Sequence, residues 1–383
     1  MIKHTNILFI FALLFTSIIY YNNDSITKTI GSILLFVLIA YFFISFCLNS
    51  KYILGKECFL FFSPLFIYSL IYFLSYFWAS EFDYYTALTI FGVCIGVSVL
   101  PFGNFENIFN EKLFYFFFYL IIVNIGFLST REIATIKSEA YCAFFPNTNI
   151  YAGFLFFLFV ISYFLERKVS HLYLIIYRLL VLFCIIFAFA RSIYISVVIF
   201  ISISYSWKFL KGRKYIFYLL LFANIGVLLV IILVSMHDVT GFLENYSDIS
   251  IKYTGARLNS GRDILWPQLI SAIIRNPILG YGAGGHRSIL YSELSSHNFY
   301  LQTLTSVGIL GLSFLILFFK HVYDIFWYFR NEKQIKYVTA FTTSILIQQH
   351  FEVFLTHNNI RLGLLYWFII SIGINYKITL KRI

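Results

Sequence analysis

Little of this 383-residue chain is charged: Asp, Glu, Lys and Arg supply 12% of it, while 60% is hydrophobic. That composition excludes an ordinary water-soluble domain. Cysteine is scarce too. Of Cys47, Cys58, Cys94, Cys142 and Cys184, only Cys142 falls in a loop expected outside the membrane, so no disulfide framework is implied. Neither CxxC nor HExxH occurs. Nearly all of the 17 acidic residues fall in loops; the nearest to a span is Glu352, at the outer end of the eleventh. Ion-coupled transporters place carboxylates near the bilayer midplane, where burying a charge is too costly to be incidental. Their lack here counts against that class.

What is present is a series of apolar runs, each long enough to cross roughly 30 Å of hydrocarbon. Twelve are expected, at about 5–21, 30–48, 58–78, 84–101, 113–129, 148–165, 172–189, 192–208, 214–236, 299–320, 335–353 and 360–376. The pair flanking Arg191 has a second reading, one broken helix. The first run follows Lys3 as a signal peptide would, but no small-residue cleavage site follows it, and it is read as a retained helix.

Orientation follows from the positive-inside rule. With the N-terminus cytoplasmic, seventeen Lys and Arg fall in the inner loops and C-terminal tail, from Lys3 to Arg382. The short outer loops hold five: Lys28, Arg131, Lys137, Arg191 and Arg361. Both termini are therefore expected in the cytoplasm, and the net charge of +11 is a topology signal that calls for no nucleic-acid partner. The expected fold is all-α: a polytopic integral membrane protein with about twelve transmembrane helices, one membrane domain over 1–383. Its single long outer loop, 237–298, carries short amphipathic helices. Arg178, inside the seventh span, is read as snorkelling to the cytoplasmic face, with ligand pairing as the second reading.

The loop is the one long polar stretch. It reads G-A-R-L-N-S-G-R-D-I-L-W-P from Gly255, N-P-I-L-G-Y-G-A-G-G-H-R from Asn276 and S-S-H-N from Ser295. Ile264, Leu265, Trp266, Leu269, Ile270, Ile273 and Ile274 recur at helical spacing, with Asn276-Pro277 as the stop. That segment is expected to lie on the outer leaflet or to pack on top of the bundle. Pro267 limits how far the regular helix extends upstream. The glycines beyond it allow a tight turn, either a plain turn or a cradle that approaches a phosphate.

Arginines and a histidine at a membrane edge suit a phosphate-bearing lipid. A diphosphate leaving group gathers negative charge in the transition state, which planar guanidinium groups stabilise better than ammonium groups. An acceptor hydroxyl needs a base, and histidine titrates in the right range. The candidates are Arg191, Arg257, Arg262 and Arg287, with His297 as the base. Each also has a structural reading. Arg191 anchors a span at the interface; Arg257 and Arg262 pair with the five loop acids; His297-Asn298 caps the following span. His286 is given a minor role, and Arg275 none.

Taken together, S-G-R…W (Ser260, Gly261, Arg262, Trp266), N-P-I-L-G-Y-G (Asn276–Gly282), H-N-F-Y-L (His297–Leu301) and G-I-L-G-L (Gly308–Leu312) resemble the O-antigen polymerase and ligase superfamily. F-P-N-T-N-I-Y-A-G (Phe145–Gly153) and A-R-S (Ala190–Ser192) stand in the expected places before them. The resemblance covers about residues 140–315. It implies glycosyl transfer without metal or other cofactor at the periplasmic face of a bacterial inner membrane. The implied donor is an undecaprenyl-diphosphate-linked oligosaccharide, and the acceptor a glycan or lipid A–core. A chain-length regulator is a further implied partner. By matching motifs, Arg191 and Arg262 hold the diphosphate and His297 serves the acceptor hydroxyl. Arg257, Arg287, Asn298 and Asn149 are expected to contact substrate. The motif wording favours polymerase over ligase, and capsule or exopolysaccharide polymerases look alike. Two rivals stand beside this: a metal-dependent polyprenyl-phosphate sugar transferase using Glu81 and Asp83, and a lipid-linked glycan transporter.

Overall fold

The computed structural model describes residues 25–103, 105, 108–129, 141–143, 145, 147–236, 262–290, 296–356 and 360–380. The expected first span and Arg257 lie outside them. The described residues form helices and connecting turns, with no strand among them. The longer helices are α1 (Ser25–Leu48), α2 (Lys56–Leu74), α3 (Tyr84–Val99), α4 (Glu111–Ser129), α5 (Thr148–Phe164), α6 (His171–Phe187), α7 (Arg191–Tyr205) and α8 (Lys214–Met236). There follow α9 (Arg262–Arg275), the short α10 (Gly285–Leu290), α11 (Phe299–Tyr328), α12 (Lys333–Gln348) and α13 (Ile360–Leu380). Among the described residues, five stretches are long and apolar enough to cross a membrane: Thr29–Leu48, Lys56–Phe77, Tyr84–Phe102, Lys214–Met236 and Phe299–Tyr328. The described residues are thus all-helical, and the chain is a membrane protein.

Burial sorts the helices by position. Nearly every side chain of α5, α12 and α13 is buried, so these three form the centre of the bundle. By contrast α1, α6 and α8 each leave one apolar face exposed, with Phe36, Leu179 and Leu233 among the exposed residues. Faces of that kind are covered by lipid chains rather than water. Around the centre, α7 packs on α12, α11 on α2, and α6 on α5.

The segment around Arg191 forms two helices separated by a short break. α6 ends at Phe187, Phe189 adopts a left-handed φ of 51°, and α7 begins at Arg191. Arg178, on α6, reaches Glu166 at 2.9 Å and lies 3.6 Å above the Tyr163 ring. Lys333 and Tyr337 hold the same carboxylate at 2.9 and 2.7 Å. Its pairing is thus with the loop after α5, at the end of the bundle that the charge pattern assigns to the cytoplasm.

α11 runs past the expected end of its span at 320 and is broken inside at Gly308, whose φ of 62° and ψ of −167° suit only glycine. A helix interrupted at this point would leave the Thr305 and Ser306 carbonyls and the Ile309 and Leu310 N–H groups unbonded. The N-P-I-L-G-Y-G segment fills all four. Tyr281 N donates to Thr305 O and Gly282 N to Ser306 O, both at 2.7 Å. Ile309 N donates to Pro277 O at 2.8 Å and Leu310 N to Ile278 O at 3.2 Å. The loop backbone is therefore pinned into the helix break, where an unmet polar group costs several kcal/mol in apolar surroundings.

Candidate active site

The pinned turn carries α9 across the top of α8 and α11. Leu269 and Ile270 bury against the bundle while Ile264 and Ile274 stay exposed on the other face. Both expected readings of this helix, packing element and amphipathic surface element, hold for different faces. Pro267 sits inside the helix, one turn beyond its start, so the regular helix begins earlier than the proline limit suggested. Trp266 Nε1 donates to the Ser296 carbonyl at 2.9 Å, tying α9 to the segment that precedes α11.

Arg262 opens α9 and points into the protein. Its Nη2 donates to the Phe351 carbonyl at 2.7 Å and lies 3.8 Å from Glu352 Oε1. The Trp266 and Phe351 rings flank its guanidinium, each 5.9 Å away. Its buried Nε has no hydrogen-bond partner. Burial holds Arg262 below the usual arginine range; Glu352 opposes this, and the Arg191 guanidinium adds to it. Arg191, exposed at the first position of α7, is thus within electrostatic reach of Arg262.

His297 precedes α11 in a left-handed conformation, φ 48°, and turns its buried Nδ1 toward Glu352 Oε2 at 3.6 Å. The side chain as a whole is 39% exposed. Asn149, in the first turn of α5, donates to Glu352 Oε1 at 2.5 Å. Glu352 itself is 7% exposed and follows the end of α12. One buried carboxylate therefore gathers Arg262, His297 and Asn149 from three separate parts of the chain.

The remaining candidates sit differently. Asn298 is the N-cap of α11, its side chain accepting from Leu301 N at 3.0 Å, while its buried Nδ2 has no partner. The capping role left open for this position is filled by Asn298 rather than by His297. Arg287, in α10, forms a 2.8 Å ion pair with Asp83. Asp83 also caps α3, accepting from Thr86 N at 3.2 Å and from Thr86 Oγ1 at 2.6 Å. This engages the acid that the metal-dependent rival relied on, and no cluster of three or more metal-ligating side chains occurs among the described residues. The glycine turn is not an open phosphate cradle: its Tyr281, Gly282 and Ala283 N–H groups donate to Thr305, Ser306 and Ser75. His286, beside Arg287, is buried and pushed down to about 4 by burial first and by the Arg287 charge second, against Asp83.

Sequence reasoning missed Glu352 as part of the site. Its signal was present, since it is the acid nearest to a span, but nothing local links it to His297 or Arg262. No curated protein matches the chain. Residues 176–316 match the family model described as O-antigen ligase, a stretch that holds Arg191, Arg262 and His297 and ends before Glu352. Over that stretch the chain is similar to the O-antigen polymerase and ligase superfamily.

Proposed function

We propose that this protein transfers a glycan from an undecaprenyl-diphosphate carrier to an acceptor sugar hydroxyl at the periplasmic face, polymerising O-antigen or related repeat units. The observation that carries the reading is the pairing of Arg262 and His297 on one buried carboxylate, with the charge of Arg191 acting on Arg262. Arg262 has an unpartnered buried N–H and a second cation near it, an arrangement that favours an anion. In the reaction the acceptor oxygen bonds to the donor's anomeric carbon as the bond to the diphosphate breaks. The acceptor proton passes to His297, and the departing diphosphate takes the electron pair. Its growing charge meets Arg262 and Arg191, which supply the stabilisation another enzyme would draw from a metal.

The same reading includes twelve membrane spans with both termini cytoplasmic. The ends of α5, α11 and α12 that meet at Glu352 all fall on the side that the charge alternation assigns to the periplasm. Arg257, Arg287 and the free amide of Asn298 are assigned to binding the glycan or the diphosphate.

A second reading, transfer of the finished glycan to lipid A–core, is equally compatible with the matched family, described as O-antigen ligase. Deleting the gene and separating surface lipopolysaccharide on a gel decides between them. Core bearing a single repeat marks the polymerase. Bare core with polymer retained on the lipid carrier marks the ligase. An unchanged ladder moves the protein to a capsule or exopolysaccharide pathway; if those polymers are also unchanged, the proposal fails.

A further inference from the structure

The structure assigns Glu352 as the positioning residue of the base: it fixes His297 with Nδ1 inward, so that the other ring nitrogen faces the acceptor. This rests on the reading of His297 as the base. The geometry around the carboxylate supports it. Glu352 Oε2 is the carboxylate oxygen nearest to His297 Nδ1, at 3.6 Å, and that nitrogen is buried while the side chain is partly exposed. Of the two ring nitrogens, the one that faces a carboxylate keeps the proton, and the other keeps a lone pair for the substrate. Oε1 is held separately by Asn149 Nδ2 at 2.5 Å and faces Arg262 at 3.8 Å, so the carboxylate cannot rotate freely away from the histidine.

The arrangement also accounts for an otherwise costly feature. A carboxylate that is 7% exposed in a chain with little charge loses most of its hydration. Arg262 alone would compensate it more cheaply from an exposed position. Burial at the junction of α5, α11 and α12 places it where one group can orient a histidine and face an arginine together. When a donor diphosphate draws on Arg262, the Glu352 charge is left to the imidazolium that forms as the acceptor proton is taken.

The test uses the full-length protein in proteoliposomes with a lipid-linked oligosaccharide donor, comparing Glu352→Gln, Glu352→Ala, Asn149→Ala and His297→Ala. Glu352→Gln is expected to lower kcat about 100-fold without raising the donor KM. It should add little to the loss already caused by His297→Ala, because both act through one base. Formate added to Glu352→Ala should restore part of the rate, which a defect of folding would not allow. Asn149→Ala should lower kcat by a smaller factor in the same direction. Near wild-type turnover in Glu352→Gln, or a full additive loss in the double variant, overturns the assignment while leaving the proposed function standing. Full activity in His297→Ala removes the base itself, and the proposed mechanism with it.

Discussion

A Cβ placed on Gly308 would stand 2.1 Å from the carbonyl oxygen of Ile278, inside the contact distance of any real pair of atoms. The two residues are neighbours because the loop backbone occupies the break in α11. Gly308→Ala therefore faces both a forbidden backbone conformation and a clash with main chain that has no room to move. Strain of that kind costs about 1–3 kcal/mol before the clash is counted. We expect Gly308→Ala to lower the thermal midpoint of the detergent-solubilised protein sharply and to abolish transfer, whereas Gly311→Ala, whose neighbours are side chains of Val307 and Tyr68, should be milder. Equal midpoints for the wild type and Gly308→Ala would show that the pinned turn is not what holds the loop.

Arg262 donates to a carbonyl and leaves a second N–H for an anion, a task for a planar fork rather than a point charge. Arg262→Lys keeps the charge and loses the geometry. The expected result is a fall in transfer of about 100-fold or more, close to that of Arg262→Ala, since one lost donor to a developing anion has that effect. Incorporation of labelled repeat units into polymer reads this directly. A lysine variant with most of the wild-type rate would mean that only net charge matters at this position.

How much of this was legible beforehand depends on how local the cause is. Hydropathy announces helices because apolar runs report their own burial, and helices stand at the expected positions from 30–48 onward. Arg191, Arg262 and His297 were singled out from short motifs, and the structure brings Arg262 and His297 to one carboxylate. Arg178 pairs with Glu166 at the end of the bundle that the charge pattern assigns to the cytoplasm. Glu352 was not placed, because its partners Asn149 and His297 lie on other helices and only the tertiary fold brings them within reach. The glycine motif misled for a related reason. Its backbone conformation was readable, but its partner, a break in a helix some thirty residues on, leaves a single glycine as its mark in the sequence.

Asp83 gives a clean test of the metal-dependent rival. In the structure it caps α3 and pairs with Arg287, whose side chain is 53% exposed, so the ion pair itself contributes little. Loss of the cap costs about 1 kcal/mol. Asp83→Ala is therefore expected to be slightly less stable and still active, and dialysis against a chelator should leave the wild-type rate unchanged. Inactivation by the chelator, restored by a divalent cation, would instead favour the rival and remove the need for arginine to carry the diphosphate charge.

His286 supplies a pH dependence with a definite sign. Burial pushes it from an ordinary value of 6.5 down to about 4, so the folded protein keeps the ring neutral at pH values where the unfolded chain protonates it. Between those two values the unfolded state binds the extra proton, and stability rises with pH. The contribution is complete above about 6.5 and is lost progressively as the pH falls toward 4, amounting to roughly 3 kcal/mol across the window. Other groups titrate in the same range, so the informative quantity is the difference between wild type and His286→Phe. The thermal midpoint of the wild type should fall more steeply than that of the variant between pH 6.5 and 4, with the two curves parallel above that. Parallel curves throughout would mean that the ring is hydrated, and that α10 does not seal it beside Asp83.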